Sequence, residues 1–429
     1  MDPKVYNFAK DIDDYFPVLP YLNLPMALWS DPDDAKRFTP NGEDDCDTTQ
    51  LCQCGEHKDS ISVPTPSRPN QVKRQYHSLV LKFVIELAID DIHFLHDHEL
   101  QRKKDVEAST GKSMKVSQGW SRGQQVAIKT LKDNIIPGWA DEFNIEKKKT
   151  YRKTIKNLIY ELRAMSHKTL RGHRNLATLV AIGFEPMYIN NNRSDDLEST
   201  NLEAFSPILV MPWAFADLRS LWHKGRLEHP DEGAGIVSDI ADGLTALHKH
   251  DIVHCDIKPG NILIYLDPLD RRKLVAKISD FGAVSSKQNN RFVTEATKGW
   301  AAPEFFEDCP NSPTENDFND LRARDVYSFG LVAMYVALEG QIDTEWLEDT
   351  WDVNACREDL DGALIVHYKN KWPEHEKMLF KWRKLLKDTI AEKAQDRMDP
   401  DLLETIRTEL MDRYVYLQWY RVSLLTHWQ

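Results

Sequence analysis

Long apolar runs are what this 429-residue chain has least of. Its most apolar early stretch, LVLKFVIELAI at 79–89, is interrupted by Lys82 and Glu86 and falls far short of the roughly 20 residues that a membrane-spanning helix needs. No membrane span is expected. The amino-terminal MDPKVYNFAKDIDDYF has neither the basic start nor the apolar stretch of a secretory signal. Cysteine is scarce, with six in the whole chain. That is too few for a disulfide scaffold and favours a reducing intracellular compartment, cytoplasmic or nuclear. Positive charge is in deficit: 55 Lys plus Arg stand against 68 Asp plus Glu, a net charge of −13. The balance argues against nucleic acid or an anionic membrane as the main partner. With 41% hydrophobic and 29% charged residues, the chain is long enough to bury a sizeable core in two or three domain-scale units.

The pattern divides the chain into four regions. Residues 1–76 are acidic and rich in Pro and Ser (DPDDAKRFTPNGEDDCDTTQ, then SVPTPSRPNQ), without helical or strand periodicity, and read as largely disordered. Cys46, Cys52, Cys54 and His57 fall in this region, but Cys52-x-Cys54 is too tight for a common zinc knuckle; free thiols are the better reading. Residues 77–104 read as an extension packing on the adjoining α/β region, with Leu79, Phe83, Leu87, Ile92 and Leu95 at helical spacing. Residues 105–212 mix β-rich runs, QQVAIKTL at 124–131 and SPILVMPW at 206–213, with a helical stretch at about 150–166. Residues 213–429 are mostly helical. Polar insertions at 187–203 and 309–321 read as surface loops.

Phosphoryl transfer needs a cation on the nucleotide phosphates, a carboxylate beside the attacking hydroxyl, and oxygens that hold magnesium. HCDIKPGNIL at 254–263 sets Asp256 and Asn261 five apart, and Asp280 comes later in KISDFG at the end of another apolar stretch. One candidate base and two oxygen donors can converge at neighbouring strand ends.

These segments resemble the eukaryotic protein kinase family over about residues 105–410. Val126-Ala127-Ile128-Lys129 matches the strand lysine signature, Asp280-Phe281-Gly282 the metal-binding motif, and Ala302-Pro303-Glu304 the end of the activation segment. Single motifs of this kind arise by chance; all of them in order do not. The resemblance implies an α+β, bilobal fold, with a small β-rich lobe carrying one regulatory helix and a larger, mainly helical lobe. It implies that Lys129 binds ATP phosphates and pairs with Glu161, that Asp256 is the proton acceptor, and that Asn261 and Asp280 hold Mg2+. Asp325 and Arg397 look like anchors of the large lobe, with Arg397 the partner of Glu304, and His254 like a structural residue beneath Asp280. Lys258 and Thr297 match positions that serine/threonine kinases use, so protein Ser or Thr hydroxyls are the expected acceptors.

The match is poorer elsewhere. The phosphate-covering G-x-G-x-x-G-x-V loop is best aligned with STGKSMKV, where only Gly111 is a glycine, Ser109 and Met114 occupy the other two positions, and Val116 fits. Glycine lets backbone N–H groups approach phosphate closely, so the substitutions bear on nucleotide affinity. Gly119 and Gly123, too near Lys129 for this loop, are read as turn residues. The hinge, about Pro212 to Ala214, would meet adenine through backbone near Trp213 and Ala214, with Met211 at the back of the pocket. Asp217 reads equally as a ribose contact and as a helix cap. Cys255 stands where most members carry arginine, the side chain that pairs with an activation-segment phosphate. Activity independent of phosphorylation at Ser285, Ser286 or Thr294 is therefore expected. Against a protein serine/threonine kinase stand two alternatives, a pseudokinase scaffold that keeps the fold and a small-molecule kinase; the latter generally lacks an Ala-Pro-Glu segment.

Overall fold

The computed structural model describes residues 100–110, 113–132, 135, 145–189, 201–224, 227–287, 297–305, 318–342 and 352–411. The readings of residues 1–76 and of the helix at 79–95, together with Cys46, Cys52, Cys54, His57, Gly111 and Thr294, lie outside the described residues.

A five-stranded antiparallel sheet comes first, built from β1 (Leu100–Thr110), β2 (Met114–Ser121), β3 (Gln124–Leu131), β4 (Ala181–Ile189) and β5 (Asn201–Pro212) in the order β1-β2-β3-β5-β4. The strand in the middle is β3, and all six residues from Val126 to Leu131 are buried. Its β-branched Val126 and Ile128 cluster with Ala181, Ile208 and Val210. Strand side chains alternate between faces, so Lys129 projects from the other face, where Glu161 meets it.

Two glycines decide local geometry here. Arg122 and Gly123 link β2 to β3 with φ of 49° and 78°, the paired positive φ of a two-residue hairpin turn that twists with its strands. Gly119 is not a turn residue: it lies within β2, opposite Val126. A β-carbon there would come within 2.8 Å of the Gln101 carbonyl, so close approach of β1 demands the glycine. The insertion read as a loop over 187–203 is also shorter than its composition suggests, since β4 runs to Ile189 and β5 starts at Asn201.

The one long helix of this part is α1 (Ile145–Ser166). Tyr151, Ile155, Leu158, Leu162 and Met165, spaced by three or four, are buried and form one face. Glu161 falls on that face and is 2% exposed.

Past Pro212 the chain is mainly helical: α2 (Leu218–Lys224), α3 (Pro230–Lys249), α4 (Phe318–Ala337), α5 (Val353–Lys371), α6 (Glu376–Thr389) and the short α7 (Ile406–Leu410). His229 caps α3 by accepting the Asp231 N–H; Asp231 and Glu232 in its first turn and His248 and Lys249 in its last suit the helix dipole. Nearly every residue of α4 from Leu321 to Ala337 is buried. A helix buried on all sides belongs in the centre of its lobe.

Short strands on this scaffold position the chemistry. β6 (Ala216–Asp217), β8 (Ile262–Leu266) and β9 (Leu274–Ile278) pair in the order β6-β8-β9, and β7 (Ile252–Val253) pairs with β10 (Ser285–Ser286). Residues 254–261 link β7 to β8, and 279–284 link β9 to β10. Both connections therefore emerge from paired strands. The architecture is the expected α+β arrangement, a sheet with one long helix followed by a mainly helical part.

Candidate active site

Lys129 Nζ donates to Glu161 Oε1 at 2.7 Å, to Glu161 Oε2 at 2.8 Å and to Asp280 Oδ1 at 2.9 Å. Three distant segments thus meet on one ammonium. Burial pulls the Lys129 pKa down, but the charges of Asp280 and Glu161 outweigh it and hold the pKa above the ordinary lysine value. Lys129, with a smaller contribution from Lys258, lowers the Asp280 pKa against the opposing effect of burial. Burial pushes Glu161 upward while Lys129 pulls it back. The Asp280 side chain stays 48% exposed, so a carboxylate is kept ionised and open on one side. The helical phase that aims Glu161 at Lys129 could not be fixed from local sequence.

A second group lies in the 254–261 connection. Lys258 Nζ donates to Asp256 Oδ2 and to Thr297 Oγ1, each at 2.7 Å, and Thr297 Oγ1 donates to Asp256 Oδ1 at 2.7 Å. Asn261 Nδ2 donates to the Asp256 carbonyl at 2.8 Å and to its Oδ2 at 3.0 Å. Both carboxylate oxygens are held, so the orientation of Asp256 is set by three separate residues. With the Asn261 amide nitrogen committed, its oxygen is the atom left for a cation. Ser279 ties the two connections together, its N–H and hydroxyl both donating to the Asn261 carbonyl, at 2.8 and 2.9 Å.

The loop backbone is anchored from below. Asp325 of α4 accepts the N–H groups of His254 and Cys255, each at 2.8 Å, and its Oδ2 lies 3.0 Å from His248 Nε2. Cys255 and Asp280 have φ of 65° and 63°, a left-handed conformation that costs a non-glycine residue on the order of 1–3 kcal/mol. The Asp325 clamp holds Cys255 in that state. His254 is fully buried: its Nε2 donates to the Ser279 carbonyl at 3.1 Å, and its Nδ1 accepts the Asp256 N–H at 3.3 Å. Both ring nitrogens are occupied, and the ring packs edge-on against Phe281. It is a structural residue.

Glu304 and Arg397 form a buried bidentate pair at 2.6 and 2.8 Å. Arg397 also donates to the carbonyls of Ala391, Ala323 and Glu392 and lies 4.9 Å from the centroid of the Tyr327 ring. The Ala302-Pro303-Glu304 segment is thereby fixed to the helical lobe.

The other sequence candidates take these places. Val116 pairs with Lys129 across β2 and β3, and buried Met211 pairs with Ala127 across β3 and β5. Both sit at the edge of the Lys129 group. The Trp213 N–H is taken by the Gln125 carbonyl at 3.2 Å, whereas the Ala214 N–H has no hydrogen bond among the described residues. Asp217 caps α2: its Oδ1 accepts the Ser220 N–H at 2.7 Å while its own N–H bonds Ser220 Oγ. Tyr265 escaped the sequence reading; its hydroxyl donates to the Pro212 carbonyl at 3.1 Å and braces the connection between the two parts. Only a long-range pairing reveals it.

With this geometry established, resemblance to known proteins is informative. A family model described as the protein kinase domain matches residues 107–408. The serine/threonine-protein kinase/endoribonuclease IRE1 of Hypocrea jecorina is 30% identical over 167 residues, covering 32% of this chain and 13% of that protein. A leucine-rich repeat receptor-like serine/threonine-protein kinase of Arabidopsis thaliana is 32% identical over 230 residues, 52% of this chain and 21% of that protein. A G-type lectin S-receptor-like serine/threonine-protein kinase of Oryza sativa subsp. japonica is 40% identical over 106 residues, 23% of this chain and 11% of that protein. The aligned stretches thus span about a fifth or less of these relatives' lengths. No helix among the described residues is long and apolar enough to cross a membrane.

Proposed function

The chain belongs to the protein kinase family, and we propose that it transfers the γ-phosphate of ATP to serine and threonine hydroxyls of protein substrates. The observation that carries this reading is the closed set of bonds among Asp256, Lys258 and Thr297, beside the Lys129–Asp280 pair. The names of the three relatives, all serine/threonine-protein kinases, support the acceptor class.

In this mechanism Asp256 orients the acceptor hydroxyl and takes its proton, with Thr297 and Asn261 fixing the carboxylate so that little reorganisation is needed. Lys129 and Lys258 offset the negative charge of the phosphates. Mg2+ fits the donor set: the Asp280 carboxylate and the Asn261 amide oxygen are the hard oxygen ligands it prefers. When bound it neutralises charge on the phosphates. Backbone near Ala214 is the proposed donor to adenine, with Val116, Met211 and Trp213 lining the pocket. The Asp217 carboxylate caps α2 through Oδ1, while Oδ2, 3.9 Å from the exposed Arg219 guanidinium, is the oxygen proposed to meet a ribose hydroxyl.

Regulation is proposed to be independent of activation-segment phosphate. Cys255 carries no charge to pair with one, and it packs instead on the apolar pair Val253 and Leu321. An intracellular site of action accords with a chain of 429 residues holding six cysteines. A scaffold without chemistry needs none of these bonds to the Asp256 carboxylate, and their presence favours the enzyme.

A thermal-shift titration with ATP, with and without magnesium, tests the nucleotide site. A magnesium-dependent rise in melting temperature is the expected result; an ATP response indifferent to magnesium favours the scaffold.

A further inference from the structure

Arg324 stands one residue before Asp325 in α4 and is only 8% exposed. A guanidinium inside a lobe is costly unless something compensates its charge. Its guanidinium carbon lies 5.7 Å from the centroid of the Phe305 ring. Phe305, at the end of the 297–305 segment, packs in turn on Val253 and Leu321, the same pair on which Cys255 of the catalytic loop packs. Burial lowers the Arg324 pKa, opposed chiefly by the charge of Glu304 and also by that of Asp320. The cation therefore sits where the segment end, the catalytic loop and α4 converge.

We propose that Arg324 is a positioning residue for phosphoryl transfer, the fixed cation that fastens the 297–305 segment to the catalytic loop beside the uncharged Cys255. Consecutive helical residues point about 100° apart, so Arg324 and Asp325 address two neighbours from one turn. Asp325 takes the N–H groups of His254 and Cys255; Arg324 takes the segment end at Phe305. The Thr297 to Asp256 bond joins the same two stretches of chain. Arginine stays charged at any physiological pH, so the segment needs no added phosphate to remain docked. The consequence for catalysis rests on the kinase reading; the docking role does not.

The test compares wild type with Arg324→Met, which keeps the apolar stem and removes the charge, and with Arg324→Met/Cys255→Arg, which returns a cation from the loop side. Hydrogen exchange is read at the amides of Trp300, Ala301 and Phe305, which bond to the carbonyls of Thr297 and Ala302, and kcat and the KM for ATP are read alongside. Arg324→Met should accelerate exchange in 297–305 by about tenfold or more and lower kcat by a similar factor, with the KM for ATP little changed, as loss of a charged contact implies. Adding Cys255→Arg should restore both. Wild-type protection in Arg324→Met, or a loss that Cys255→Arg does not repair, overturns the proposal. If Arg324→Met does not fold, Arg324→Lys takes its place: weakened protection repaired by Cys255→Arg supports the role, and unrepaired loss contradicts it. An inactive wild type would overturn the transferase reading alone, because exchange does not depend on turnover.

Discussion

The hydroxyl of Thr297 donates to Asp256 Oδ1 at 2.7 Å across 41 residues of chain. Because Lys258 Nζ reaches both residues, this single hydroxyl locks the segment before Ala302-Pro303-Glu304 to the loop that carries the base. Thr297→Val removes the donor while keeping the shape. We expect kcat to fall about 10–100-fold, the usual worth of a hydrogen bond to a charged group, and Thr297→Ser to retain most activity. Steady-state kinetics check it, and a valine variant as fast as wild type would remove Thr297 from the mechanism.

Lys129 bridges two carboxylates at once. Lys129→Met should reduce phosphotransfer by at least about 10²-fold. It should also destabilise the protein by about 3–5 kcal/mol, because Glu161 is left as a buried charge without a partner. Adding Glu161→Gln should recover part of that stability and none of the activity. Urea unfolding of both variants measures the coupling; additive losses would show that the pair does not act as a unit.

Burial separates two arginine–carboxylate pairs of similar geometry. Glu304→Ala leaves the fully buried Arg397 guanidinium without its counter-charge, at a cost of about 3–5 kcal/mol. Asp361→Asn breaks the bidentate pair with Arg383, which is 46% exposed, and should change stability by less than about 1 kcal/mol. Equal effects in chemical denaturation would contradict this ranking.

Asp239 gives the fold a pH signature. Burial pushes its carboxyl up to about 6, against the charge of Arg407 and the Ala276 N–H. Between the ordinary value near 3.8 and about 6, the folded protein holds a proton that the unfolded chain releases. This group's contribution therefore falls as pH rises through that window and levels off above it, a total of roughly 3 kcal/mol. The difference in unfolding free energy between wild type and Asp239→Asn should shrink or reverse from pH 4 to 6. A difference flat across that range would show that Asp239 does not titrate as described.

Much of the site was legible because its chemistry sits in short contiguous stretches: Lys129 in one strand, Asp256 to Asn261 in one loop, Asp280 at one strand end. These residues need only the right neighbours in sequence to be recognised. Other features depend on partners far away in the chain. Glu161 is matched through the family resemblance, but nothing local sets its helical phase; the buried pairing with Lys129 does. Gly119 resembles a turn residue until the nearness of Gln101 explains it. Tyr265 and Arg324 carry no local signal at all, since their meaning arises from contact with Pro212 and Phe305. The opposite limit appears at Asp217, where a capping pattern and a nucleotide contact share the same sequence and the hydrogen bonds to Ser220 establish the cap.

The most direct measurement is incubation of the purified full chain with labelled ATP, magnesium and a protein acceptor, followed by phosphosite mapping, with Asp256→Asn as the control. Asp256 bonds through its side chain only to Lys258, Asn261 and Thr297 among the described residues, so the isosteric change should leave the melting temperature close to wild type. Label on serine or threonine with wild type, and none with Asp256→Asn, is the expected result. Undiminished transfer by a folded Asp256→Asn protein would contradict the assignment of Asp256 as the base.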